Sequence, residues 1–102
     1  MDKFFSLPRY NFNRRMLDNA PDEFGVYALF YGEELVYVGA AQGTSIKACL
    51  ILHQDGALGE CTMKATKYTW EITRHASLRC AEILADAFKR LGHDPICQDK
   101  AA

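Results

Sequence analysis

Two runs of β-branched and aromatic residues, Gly25-Val26-Tyr27-Ala28-Leu29-Phe30-Tyr31 and Leu35-Val36-Tyr37-Val38-Gly39, are separated only by Gly32-Glu33-Glu34. Such runs favour strands, and so short a connection restricts them to an antiparallel hairpin. Register then decides which side chains share a face. A three-residue loop pairs Tyr31 with Leu35, Leu29 with Tyr37 and Tyr27 with Gly39, so that Tyr27 and Tyr37 point to the same side. A two-residue turn would put them on opposite sides. Gly25 and Gly39, at the outer ends, leave bare positions where another backbone or a ligand can approach closely.

Around this hairpin the periodicity indicates helices and one more strand. Asn11 or Asn13 can cap a short helix over about Asn13 to Asn19, with Pro21 beyond it. Thr44 or Ser45 can cap a second, running to about Gln54 and closed by Gly56, whose stripe is Ile46, Cys49, Leu50 and His53. Lys67 to Thr73 alternates strictly, with Tyr68, Trp70 and Ile72 on one face. The last helix, about Ala76 to Leu91, carries an apolar arc of Ser77, Cys80, Ala81, Leu84, Ala87, Phe88 and Leu91 and ends at Gly92 and Pro95. The expected fold is α+β, a small three-stranded antiparallel or mixed sheet flanked by helices.

At 102 residues, 49% of them hydrophobic and 25% charged, the chain fits one domain and not two. Residues 1–19 read as a basic, aromatic arm and short helix ahead of a core over about 20–98. A net charge of −1 confines any nucleic-acid surface to a local patch. Arg9, Arg14 and Arg15 stand among Phe4, Phe5, Tyr10 and Phe12 in a stretch from Lys3 that has no acid. Phosphates can meet those cations while bases stack on the rings, or the rings can pack on the core and leave the charges in water. Lys64, Lys67, Arg74 and Arg79 near the third strand suit a phosphate-tracking rim or a solubilising surface. No run resembles a signal peptide or a membrane span, so a cytoplasmic location and no membrane partner are expected. Cys49, Cys61, Cys80 and Cys97 are unevenly spaced without a C-x-x-C pair, and reduced thiols are expected.

The tripeptides Gly25-Val26-Tyr27 and Tyr37-Val38-Gly39 resemble the paired signature of the GIY-YIG nuclease superfamily. The resemblance extends from about Ala20 to Gln98 through the order of loop, capped helix, strand and last helix. It implies metal-dependent hydrolysis of phosphodiester bonds, with Mg or Mn as the single divalent cofactor and DNA more than RNA as partner. Tyr27 would act as, or position, the general base, and Tyr37 would contact the scissile phosphate. His53 matches the family's histidine, but Cys49 stands where the family has arginine, a permanently charged bidentate phosphate donor. Lys47, on another side of the helix, is an imperfect substitute. Glu82 or Asp86 would ligate the metal, and Gln98 stands at an asparagine position three residues after Pro95. These departures predict a slow or inactive enzyme that still contacts nucleic acid. Two alternatives stand beside it: a non-catalytic module that binds a protein partner or dimerises, and a thiol or metal site at Cys49 and His53, one helical turn apart.

Overall fold

The computed structural model describes residues 2–99. Four strands form one antiparallel sheet in the order β1-β4-β2-β3. They are β1 (Tyr10–Asn11), β2 (Gly25–Tyr31), β3 (Glu34–Ala41) and β4 (Lys67–Ile72), with helices α1 (Arg14–Leu17), α2 (Ile46–Gln54), α3 (Glu60–Met63) and α4 (Ala76–Leu91). The class is α+β as expected, but the sheet has four strands and not three. The addition is β1, only two residues long, which pairs Tyr10 with Tyr68 and Asn11 with Lys67. Two residues show no alternation, so nothing local distinguishes them from a loop. The N-terminal arm is built into the domain: Phe4 and Leu17 are fully buried, and Thr69 donates a hydrogen bond to the Pro8 carbonyl at 2.7 Å.

The hairpin turn has two residues, Gly32 and Glu33, since Tyr31 pairs with Glu34 and Phe30 with Leu35. Gly32, at φ +60°, supplies the positive φ that tight hairpin turns need. A bulge then restores the expected pairs Leu29 with Tyr37 and Tyr27 with Gly39. Val36 is the extra residue, and its insertion cancels the face reversal that the short turn alone would cause. Tyr27 and Tyr37 therefore share a face after all, with ring centroids 6.1 Å apart.

Helices cover both faces of the sheet. Leu17 of α1 and Ile46 and Leu50 of α2 pack with Tyr27, Leu29, Val36 and Tyr68 on one side. Phe4 and Ile83 and Ala87 of α4 pack with Val26, Ala28, Phe30 and Val38 on the other. Central strand β2 is buried on both faces, which is why it reads as an unbroken apolar run. The caps of α2 are as expected: the Ser45 side chain accepts from Ala48 N–H, and Gly56 takes φ +81° beyond the end.

Helix α4 is rotated from its expected arc. Ala76, Ile83 and Ala87 face the sheet with Cys80 and Leu84 at the margins, whereas Ser77, Ala81, Phe88 and Leu91 are exposed. The packed face is centred on fully buried Ile83, which the expected arc left out. At its edge Arg79 hydrogen-bonds Asp2 at 2.8 and 2.6 Å and Glu71 at 2.7 and 3.1 Å, joining the helix to β4 and the N-terminal turn. Tyr68 of β4 is buried as expected, while Trp70 is half-buried and Ile72 exposed, where the helical cover runs out.

Reduced thiols are corrected at two positions: Cys61 of α3 and Cys97 form a disulfide across 5.6 Å between Cα atoms. Cys49 and Cys80 are free. Among the described residues, no helix is long and apolar enough to cross a membrane.

Candidate functional site on the α2 face of the hairpin

Tyr27 lies opposite Gly39 across the β2–β3 ladder. The bare Gly39 lets the Tyr27 ring lie over it, since a Cβ there would collide with the ring and the phenol oxygen. Gly25 has the same kind of role, because its Cβ would strike the Glu71 carbonyl and come 2.5 Å from Ile46 Cδ1. The glycines of the motif thus admit a strand and a helix at one end and an aromatic ring at the other. Gly39→Ala is expected to cost about 2 kcal/mol through overpacking and to part Tyr27 from α2. Urea denaturation reads the stability, and a loss below about 0.5 kcal/mol would mean that the ring can move aside freely.

His53 sits in the last turn of α2 on the stripe with Ile46 and Leu50, and it is fully buried against the sheet. Its Nε2 lies 2.8 Å from the Tyr27 hydroxyl and its Nδ1 2.8 Å from Thr62 Oγ1. Burial lowers the imidazole pKa from 6.5 to about 4, so the ring is neutral at pH 7. A neutral imidazole has one donor and one acceptor. Burial first, then neighbouring Tyr37 and Cys49, hold the Tyr27 phenol far above its usual pKa. One of the two hydroxyls, Tyr27 or Thr62, therefore donates to the ring while the other accepts from it, and the contacts at both nitrogens hold the imidazole in a single neutral tautomer. Tyr37, half-buried, places its ring 4.8 Å from the imidazole.

The chain Tyr27–His53–Thr62 is uncharged, and that bears on its chemistry. Tyr27 as a base would have to ionise against its burial, and the neighbours that act on it, Tyr37 and Cys49, raise its pKa further. Cys49, where the resemblance leads one to expect arginine, is half-buried beside Tyr27, and burial pushes its thiol up, only partly offset by Tyr27. The Lys47 ammonium is turned to the Asp18 carbonyl at 3.0 Å. Both ring nitrogens of His53 are occupied, so metal ligation with Cys49 would require breaking one of these bonds.

The acidic residues lie elsewhere. Glu82 and Asp86 belong to α4, which covers the opposite face of the sheet. Glu82 is 3.5 Å from Arg79, and Asp86 accepts from the Asp2 N–H at 3.1 Å. Among the described residues, no three His, Cys, Asp or Glu side chains gather into a group that could hold a metal. The residues expected to ligate Mg or Mn do not fit that role at the tyrosines.

The candidate cations are also dispersed. Arg9 stacks 3.9 Å over Phe30 on the α4 side, and Arg14 pairs with Asp55 at 3.3 Å between α1 and the end of α2. Lys67 donates to Asn11 Oδ1 at 2.5 Å along β1 and β4, Lys64 follows α3, and Arg15 is exposed. Gln98 grips the edge of β3, accepting from Val38 N–H at 3.0 Å and donating to its carbonyl at 2.7 Å. Thr62 is the site residue that sequence reasoning missed. It sits on a four-residue helix with no readable period, and its one signal is a hydroxyl nine positions after a histidine on an apolar stripe. No family model, no curated protein and no solved structure matches the chain.

Proposed function

We propose that the chain is a GIY-YIG-like nucleic-acid-binding domain that engages phosphodiester backbone at the hairpin tyrosines and hydrolyses it slowly or not at all. The reading rests on one observation above others: the 2.8 Å bond from Tyr27 to His53 across a bare Gly39, with Tyr37 beside the same imidazole. Motif residues from two strands and a helix meet at one place. Three further features support binding without turnover: Cys49 in place of an arginine, a neutral buried imidazole, and acids on the far face.

Salt-dependent binding of a fluorescent DNA duplex and a matched RNA tests this reading. Affinity is expected to fall steeply with salt, as counterion release requires, and Tyr37→Ala is expected to weaken it. No affinity at low salt would sink the proposal. Supercoiled plasmid with Mg²⁺ or Mn²⁺ tests turnover, and nicking is expected to stay at the level of Tyr27→Phe. Cys49→Arg is expected to tighten DNA binding at low salt by about tenfold, the worth of one charge-assisted phosphate contact. The same variant is expected to leave nicking near background, because Glu82 and Asp86 remain on the other face.

A protein-interaction module is favoured by a different feature. The outer side of α4 exposes Leu78 and Phe88, 67% and 50% accessible, with Ala81 and Ala85 exposed between them. Sedimentation across a concentration series reads self-association, and a uniform monomer removes the dimer form of this reading.

A further inference from the structure

We propose that Cys61–Cys97 is a redox-modification site, open to dithiol reductants, whose reduction releases Thr62 from His53 and uncouples the Tyr27–His53–Thr62 chain. The proposal adds regulation to the tyrosine–histidine site and in that respect builds on the reading given above.

Three features place the disulfide in control of Thr62. First, α3 is a weak element by itself. It has four residues, one of them buried, and that one is Thr62. Its N-cap is Gly59, at φ 106°, with no side-chain cap, and Gly56 at φ 81° lies just before. A helix this short cannot be held by its own hydrogen bonds, so external ties position it. Cys61, the residue before Thr62, provides a covalent one.

Second, the other end of the tie is firmly seated. Cys97 is buried and donates its N–H to the Val36 carbonyl at 2.9 Å, and Gln98 clasps Val38 through both ends of its amide. The disulfide therefore fastens a weak helix to the edge of β3. With the bond cut, the end of α3 stays tied through buried Ala65 and the Thr66 N–H to Phe30 carbonyl bond at 2.7 Å, and at Thr62 itself the hydroxyl–imidazole contact at 2.8 Å is left to keep the side chain on the ring. One such bond contributes about 1 kcal/mol net.

Third, the disulfide is reachable. A surface cavity of about 520 Å³ is lined by both cysteines together with Tyr31, Glu60, Lys64 and Ile96. Cys61 is only partly buried, and the charged side chains of Glu34, Glu60 and Lys64 share the cavity with it. Exchange proceeds in two displacements. One sulfur of the dithiol attacks Cys61 Sγ, and Cys97 Sγ leaves and takes up a proton. The second sulfur then attacks the first, closing the reductant into its own disulfide and releasing Cys61, which is protonated in turn. The two protons and two electrons come from the dithiol, so the exchange is balanced. In a reducing compartment, which is the one expected from the sequence, disulfides of this kind are characteristically transient.

The test is the tautomer of His53, read from ring ¹⁵N chemical shifts at neutral pH in the cold, with and without dithiothreitol. The oxidised protein is expected to show a single neutral tautomer, with one ring nitrogen protonated and the other not. Reduction is expected to give exchange between tautomers and loss of amide protection over residues 59–64, with far-ultraviolet circular dichroism retained. Cys61→Ser with Cys97→Ser is expected to reproduce the reduced spectrum, and Thr62→Val to reproduce the His53 change in oxidised protein. An unchanged His53 on reduction overturns the proposal. So does global unfolding on reduction, since the disulfide would then be a general staple and not a local tie. His53 itself is the readout, so a failure to bind nucleic acid would sink the functional reading and leave this one standing.

Discussion

Reduction of Cys61–Cys97 will lower the free energy of unfolding more than any single substitution discussed above. The bond spans 36 positions in sequence. Closing a loop of that length in the unfolded chain corresponds to about 4 kcal/mol of stabilisation in the chain-entropy picture. For a domain of this size that is about 20 °C in Tm. Urea melts of oxidised protein, of protein in dithiothreitol and of the variant carrying Cys61→Ser and Cys97→Ser measure it directly. The last two are expected to coincide, with midpoints well below the first. A native state with about 5 to 15 kcal/mol to spare survives this loss in the cold, where the His53 experiment is made. A difference below about 1 kcal/mol would show that the reduced unfolded chain already keeps these segments close or that strain in the native state offsets the gain, contrary to the simple loop-closure account.

Acid will destabilise the protein in two steps, the first governed by His53. Its folded pKa of about 4 lies below the unfolded value of 6.5. Between those values the unfolded chain binds a proton that the native site refuses, so stability rises with pH across the window. The contribution is complete above pH 6.5 and is lost as pH falls toward about 4. At 1.36 kcal/mol per unit, the full loss is about 3 kcal/mol. The second step belongs to Asp2, held at about 2 chiefly by the Arg79 guanidinium against an ordinary 3.8. Its stabilisation is present above pH 3.8 and lost as pH falls through about 2. Denaturant melts from about pH 2 to 8, repeated on His53→Gln, separate the two. The variant is expected to lose the upper slope and keep the lower, and an unchanged upper slope in His53→Gln would place that titration on another group.

Both effects depend on partners far apart in the chain, and that marks where sequence reading stopped. The α2 stripe Ile46, Cys49, Leu50 and His53 was legible because its period is local, and it correctly turned His53 toward the sheet. Thr62, the partner of the other ring nitrogen, was not legible, since a four-residue helix has no period. The pairing of Tyr27 with Gly39 was legible, but for an incomplete reason. The turn is shorter than the loop that was read, and the bulge at Val36 restores the register. The acids Glu82 and Asp86 were legible as one helix face. Which side of the sheet that helix would cover depended on Ile83 and Ala87 packing with Val26, Ala28, Phe30 and Val38.

The sequence by itself determined the hairpin, the capped helix after it, the alternating β4 and the long last helix with its glycine stop. Each is set by interactions within a few residues: side-chain periodicity, turn glycines and caps. Only the tertiary structure decided that Cys61 would meet Cys97, that Thr62 would complete the hydrogen bonds of His53, and that the acids of α4 would lie across the sheet from the tyrosines. Those outcomes depend on which segments come within 3 to 6 Å once two layers of helices close over one sheet, and long-range proximity of that kind leaves no periodic trace along the chain.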